Sequence, residues 1–170
     1  LLLIYTINIL GVIEFGKFIF ALSFVTIFAV FSEFGLSDIA TREFSQDKKN
    51  EKEYPDILSL KIIFTIGALI LMLIGSFFVT SDIVIKKVIW ILSFSILIGN
   101  FSYIIYAFFR ARQQMEYEAS AKIIQAVITV GMVFFVLFHF PSIQNISWGY
   151  LFSNLIVLVL LLMFFNFLSN

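Results

Sequence analysis

Long uncharged stretches, punctuated by short charged ones, lay out this chain. Residues 62–81 carry no charge between Lys61 and Asp82, and residues 88–109 carry none between Lys87 and Arg110. Each is long enough to cross a bilayer as a helix, which takes about 20 apolar residues. Residues 18–32 are likewise uncharged, and there is no Lys, Arg, Asp or Glu from Ile123 to Asn170. That last stretch is too long for one crossing, and Pro141-Ser142 and Asn145 mark a turn inside it. The opening run, Leu1 to Ile13, reaches only roughly 20 Å as a helix, short of the roughly 30 Å hydrocarbon core. It has neither the basic stretch nor the small-residue cleavage site of a signal peptide, and is read as the back half of a first helix in an incomplete sequence. The pattern thus predicts helices over residues 1–13, 17–42, 57–80, 85–111, 117–139 and 146–168. The fold class is an all-α integral membrane bundle of about six transmembrane helices, the first truncated, in one domain over 1–170. Pro55 falls in the first turn of the third helix, where its missing N–H costs little. Glu14 and Lys17 are expected in a short outer turn.

Composition strengthens the membrane reading. The chain is 61% hydrophobic and 13% charged, with a mean hydropathy of +1.05, against about 45–50% and about 25% for a soluble domain. Net charge is zero, so nothing draws the chain to nucleic acid. With no cysteine and a single histidine, His139, no metal or other cofactor is expected. The charged loop 42–56 is too short to be a domain.

Lysine and arginine in short loops set orientation. One set of helix ends holds Arg42, Lys48, Lys49, Lys52, Lys61, Arg110, Arg112 and Lys122; the other holds Lys17, Lys86 and Lys87. Eight against three places the 42–56 and 110–118 loops, and the N-terminus, in the cytoplasm of a multi-pass cell-membrane protein. The Lys86-Lys87 pair is discordant with that arrangement.

Charge is densest at Glu33–Glu43, EFGLSDIATRE, where Glu33, Asp38, Arg42 and Glu43 end an apolar run. Ionisable groups at bilayer depth are expensive and either pair or face water. The segment is therefore the mouth of a polar cavity or a helix end emerging among headgroups. Asp38 and Arg42 stand four apart and are placed to pair. Polar residues recur at helical spacing elsewhere. The second helix carries Ser23, Thr26, Glu33, Ser37 and Thr41; the fourth Ser93, Asn100, Tyr103 and Arg110; the fifth Glu118, Lys122, Gln125 and Thr129; the sixth Ser147, Tyr150 and Asn154. Isolated polar residues in membrane helices commonly hydrogen-bond across helix pairs. Several stripes, most with a titratable member, instead fit helices around a wet cavity. Candidate cavity residues are Glu33, Asp38, Arg42, Asn100, Tyr103, Arg110, Lys122 and Gln125. Arg42 and Arg110 have two readings: anchors to lipid headgroups at helix ends, or bidentate donors to a phosphate. Gly67, Ala68, Gly75 and Ser76 permit close helix approach.

Three short motifs carry a family resemblance. Glu14-Phe15-Gly16-Lys17-Phe18 resembles the turn after the first helix of polysaccharide and O-antigen flippases, within the multidrug/oligosaccharidyl-lipid/polysaccharide exporter superfamily. Phe34-Gly35-Leu36-Ser37, followed by Ala40-Thr41-Arg42-Glu43, resembles their signature at the end of the second helix. Phe109 to Met115, FRARQQM, resembles the link between their fourth and fifth helices. The resemblance covers roughly residues 10–140 and implies one six-helix lobe of a two-lobed exporter, with a second lobe as partner in the same chain or a dimer. It implies alternating access that flips a polyprenyl-pyrophosphate-linked saccharide across the lipid bilayer, the pyrophosphate drawn into a cationic cavity. A drug/cation antiporter of the same superfamily is the neighbouring alternative. A membrane-embedded glycan-pathway enzyme is a third, disfavoured because no large polar loop or acid–histidine cluster offers acid/base or metal chemistry; the chain is expected not to be an enzyme.

Overall fold

The computed structural model describes residues 2–33, 35–46 and 54–169. Among these the chain forms seven helices: α1 (Leu2–Leu10), α2 (Val12–Glu33), α3 (Leu36–Gln46), α4 (Tyr54–Val79), α5 (Ile83–Ala111), α6 (Met115–His139) and α7 (Ile143–Ser169). Five stretches are long and apolar enough to cross a membrane, with Val12–Glu43 counted as one. This is an all-helical, multi-pass membrane protein.

The predicted helices of the second half appear within three residues at each end. Two expectations nearer the N-terminus are corrected. The first chain reversal lies at Gly11, whose φ of +80° is a left-handed conformation that glycine adopts without a Cβ penalty. Glu14 and Lys17 therefore belong to the opening turns of α2, and the first helix stops at Leu10 rather than residue 13. The single helix expected over 17–42 is broken at Gly35, φ +74°. Helical spacing gives no warning of this break, because Leu36 and Ala40 continue the buried side of α2 as buried residues of α3.

Local chemistry defines the helix ends. Asp82 caps α5: its backbone is extended and its carboxylate accepts the Val84 N–H at 2.8 Å, satisfying one of the unpaired amides that open a helix. Its own N–H is taken by Thr80 Oγ1 at 3.1 Å. Gln113 adopts φ +59° between α5 and α6. Pro55 sits in the first turn of α4, as its position predicts. The turn before α7 falls at Pro141-Ser142, with Asn145 already inside α7 and its side-chain amide donating to Phe140 O at 3.2 Å.

α5 is the hub, packing on α7, α2, α3 and α4; its most extensive partner is α7. Phe18, Ala21 and Val25 of α2, Ala68 and Met72 of α4, Val88, Ile89 and Leu92 of α5, and Val133 and Leu137 of α6 form one core. Ile105, Tyr106 and Phe109 meet Val157 and Leu161 of α7 in a second. Small residues set the α2–α4 approach: a Cβ on Gly75 would lie 3.0 Å from the Phe24 ring, whereas one on Gly67 would meet nothing within 4 Å. Large apolar side chains such as Ile63, Phe78, Val127 and Phe138 point outward, as helices facing lipid require. α6 is the least embedded span; among its described residues only Glu118, Val133 and Leu137 are buried.

Candidate functional site

Three groups of polar side chains join the helices. The first lies where α2 ends. Lys61, on α4, has a side chain with 0% exposure, and its ammonium donates to Glu33 Oε1. The second oxygen of that carboxylate accepts from Ser37 Oγ of α3 at 2.8 Å. Glu33, 28% exposed, thus grips α3 and α4 from the last residue of α2. One residue back on α2, Ser32 Oγ accepts the amide of Asn100 at 2.6 Å and donates to Ala29 O at 2.7 Å. An unpaired ammonium in this apolar setting would be strongly disfavoured, so the carboxylate is a requirement of burying Lys61.

The second group is a run of charge across α3, α5 and α6. Arg110 Nη1 stands 3.6 Å from Asp38 Oδ1, and Arg110 Nε stands 3.4 Å from Glu118 Oε2. Glu118 Oε1 receives Lys122 Nζ at 2.6 Å. Asp38 is 84% exposed, Glu118 11% and Lys122 52%, so the run dips from an open rim to Glu118 and emerges again at Lys122. Lys122 also lies over the Tyr106 ring, 5.5 Å from its centroid, and Arg112 lies over Phe108 at 4.1 Å.

The third group continues inward from Tyr106. Its hydroxyl donates to Gln125 Oε1 at 3.0 Å, Gln125 Nε2 reaches Asn154 Oδ1 at 3.4 Å, and Asn154 Nδ2 donates to Ser95 O and Oγ at 3.1 and 3.0 Å. A parallel contact joins Thr129 to Ser153 at 3.3 Å. These bonds tie α5, α6 and α7 at a depth where backbone groups are otherwise consumed within helices.

The expected residues are therefore divided. Arg110, Lys122 and Asp38 share one cluster, and Gln125 hangs from it through Tyr106. Glu33 and Asn100 belong to the buried group around Lys61. Asp38, expected beside Arg42 on the same helix, also faces Arg110 of α5, because α3 packs on α5. Tyr103 is partly exposed and stands edge-on to Tyr106, 5.9 Å between centroids. Arg42 is exposed on α3. Ser23 and Thr26 are exposed too, and Thr26 turns its hydroxyl back to Leu22 O at 2.7 Å. Lys61 is the residue that sequence reasoning passed over. Its position beside a charged loop reads as a headgroup anchor; its place on one face with Thr65, Ala68, Met72 and Ser76, all buried, is the signal that would have found it.

At the other end of the bundle, Lys17 bridges Glu14 at 2.9 Å and Asp82 at 3.5 Å. The Val84 amide, and then the Lys17 ammonium, hold the Asp82 carboxyl below the usual carboxylate range. Among the described residues no group of His, Cys, Asp and Glu is placed to hold a metal ion.

The family model described as polysaccharide biosynthesis protein matches residues 1–169. No curated protein and no solved structure matches the chain.

Proposed function

This chain belongs to the polysaccharide biosynthesis protein family, and on that premise we propose that it flips a lipid-linked oligosaccharide across a cell membrane by alternating access. The observation that carries this reading is the Asp38–Arg110–Glu118–Lys122 run. It collects two cations on facing helices at one end of the spans and opens at an exposed rim. In the absence of substrate, two carboxylates neutralise the two cations. A polyprenyl pyrophosphate offers the same charge with more acceptor oxygens, and a guanidinium binds phosphate through paired charged hydrogen bonds. Arg110 and Lys122, with Arg42 on the neighbouring α3, receive the pyrophosphate; the isoprenoid tail stays in the bilayer. The chain binds and moves its substrate without making or breaking covalent bonds. The basic end is cytoplasmic, with the N-terminus, by the excess of lysine and arginine there. A second six-helix lobe completes the path.

The test is complementation in cells lacking their own O-antigen flippase. Replacing Arg110 by Ala removes charged hydrogen bonds and is expected to lower surface glycan roughly tenfold or more. Unchanged export from both Arg110→Ala and Arg42→Ala would refute the site. Absence of export from the intact protein would refute the function.

A further inference from the structure

We infer that Lys61 is a phosphate-binding residue that Glu33 occupies only until substrate arrives. The inference rests on the flippase reading and adds to it a second anion site, set deeper than the exposed rim.

One donor on the Lys61 face of α4 is left without an acceptor. Its ammonium and the Ser37 hydroxyl both point to the Glu33 carboxylate. One turn farther along the same face of α4, the Thr65 hydroxyl is buried, 7% exposed, and has no hydrogen-bond partner. A buried hydroxyl left unsatisfied costs free energy, and it lies on the helix face that carries Lys61. Each oxygen of Glu33 is engaged, one by Lys61 and one by Ser37, and neither reaches Thr65. A tetrahedral phosphate has enough oxygens to take both of those donors and Thr65 as well.

The anion now in place is also the one best able to leave. Glu33 closes α2, two residues before Gly35, which has φ +74° and open space where a Cβ would be. The α2–α3 joint is therefore unpacked on that side. Ser37 lies beyond the joint on α3, so a shift of α3 carries away one of the two donors that hold the carboxylate. Lys61 stays behind, on the face of α4 that packs against the bundle core. A buried ammonium must keep a counter-ion, which makes departure of Glu33 and arrival of another anion a single exchange.

Binding of farnesyl pyrophosphate to the purified chain in phosphatidylcholine nanodiscs tests this, with inorganic pyrophosphate run in parallel to separate headgroup from tail. Glu33→Gln removes the internal competitor and is expected to tighten pyrophosphate binding, while Lys61→Met weakens it about tenfold, the loss of one charged contact. Glu33→Gln/Lys61→Met buries no unpaired charge, so it folds even where Lys61→Met does not, and it is expected to bind as weakly as the lysine variant. Thr65→Val is expected to weaken binding and to raise the unfolding temperature. A static tie between α2 and α4 predicts otherwise: no affinity change in Thr65→Val, and the same direction of change in the glutamate and lysine variants. Either result, with the wild-type chain binding normally, overturns the exchange and leaves the flippase reading standing. If the wild-type chain binds neither pyrophosphate probe, both fall.

Discussion

At Asp82 one carboxylate caps α5 and faces Lys17 of α2. Its folded pKa is depressed, so its contribution is complete above the unfolded value, about 3.9, and is lost as pH falls through the lower folded value. The difference in unfolding temperature between wild type and Asp82→Asn should thus be constant from pH 7 to about pH 5 and shrink below about pH 4; a difference growing on acidification would refute the assignment. Asn154 is the other side chain whose removal is diagnostic. It touches Ser95 twice and Gln125 once, and polar contacts between membrane helices average about 0.6 kcal/mol. Asn154→Leu should therefore lower unfolding free energy by roughly 1–2 kcal/mol in detergent titration, and an unchanged transition would show that α7 is held by apolar packing alone. Neither role is visible in sequence. Asp82 sits just before an apolar run, which suggests a cap, but Lys17 is remote along the chain. Asn154 belongs to a polar stripe at helical spacing, yet its partner Ser95 precedes it by 59 residues, and spacing within a helix says nothing about which helix lies opposite.

Helices were legible where charge brackets them, and the glycine breaks were not. Asp82 marks the end of α4 closely, while Lys61 lies two turns inside its start, and Arg110 marks the end of α5. Gly11 sits inside an apolar pattern that continues through it, and Gly35 inside a charged one that reads as a helix end or a cavity mouth, so only their positive φ reveals the breaks. Three glycines make the distinction measurable. Gly35→Ala should destabilise by about 1–2 kcal/mol from left-handed strain alone, since its Cβ would meet nothing. Gly75→Ala should destabilise by pushing α4 off the Phe24 ring, while Gly67→Ala should be neutral or stabilise by up to about 1 kcal/mol through helix propensity. Equal responses at positions 75 and 67 would contradict the α2–α4 packing. The four small residues of α4 look alike in sequence; what separates them is which face meets α2.

For the whole molecule, the alternating spans put the Thr80–Asp82 turn and the Arg112–Gln114 turn on opposite sides of the membrane. The chain has no cysteine, so single-cysteine variants report cleanly. An impermeant maleimide applied from outside should label Ser81→Cys and spare Glu116→Cys; the reverse pattern would invert the orientation proposed from the basic residues. The candidate site was readable in outline at this scale. Charged and amide residues at helical spacing did identify groups that meet across helices, as Arg110, Glu118, Lys122 and Gln125 do. Their division into a buried ion pair, an open charged rim and a deep amide chain depends on helix order in space. The packing of α3 on α5 is the step that a one-dimensional pattern lacks.

The shallow seating of α6 also bears on how the protein is made. Its described contacts fall mainly on α7, which is translated after it. While α6 waits beside the translocon, Gln125 has Tyr106 but lacks Asn154, and Thr129 lacks Ser153. Helices α2, α4 and α5 already share a core by then. Assembly at the ribosome is therefore expected in two stages, with α7 as the latch that covers the Gln125–Thr129 face of α6. A nascent chain stalled before α7 should leave the Gln125–Thr129 face of α6 crosslinkable to lipid or to an insertion chaperone, and completing α7 should remove that crosslink.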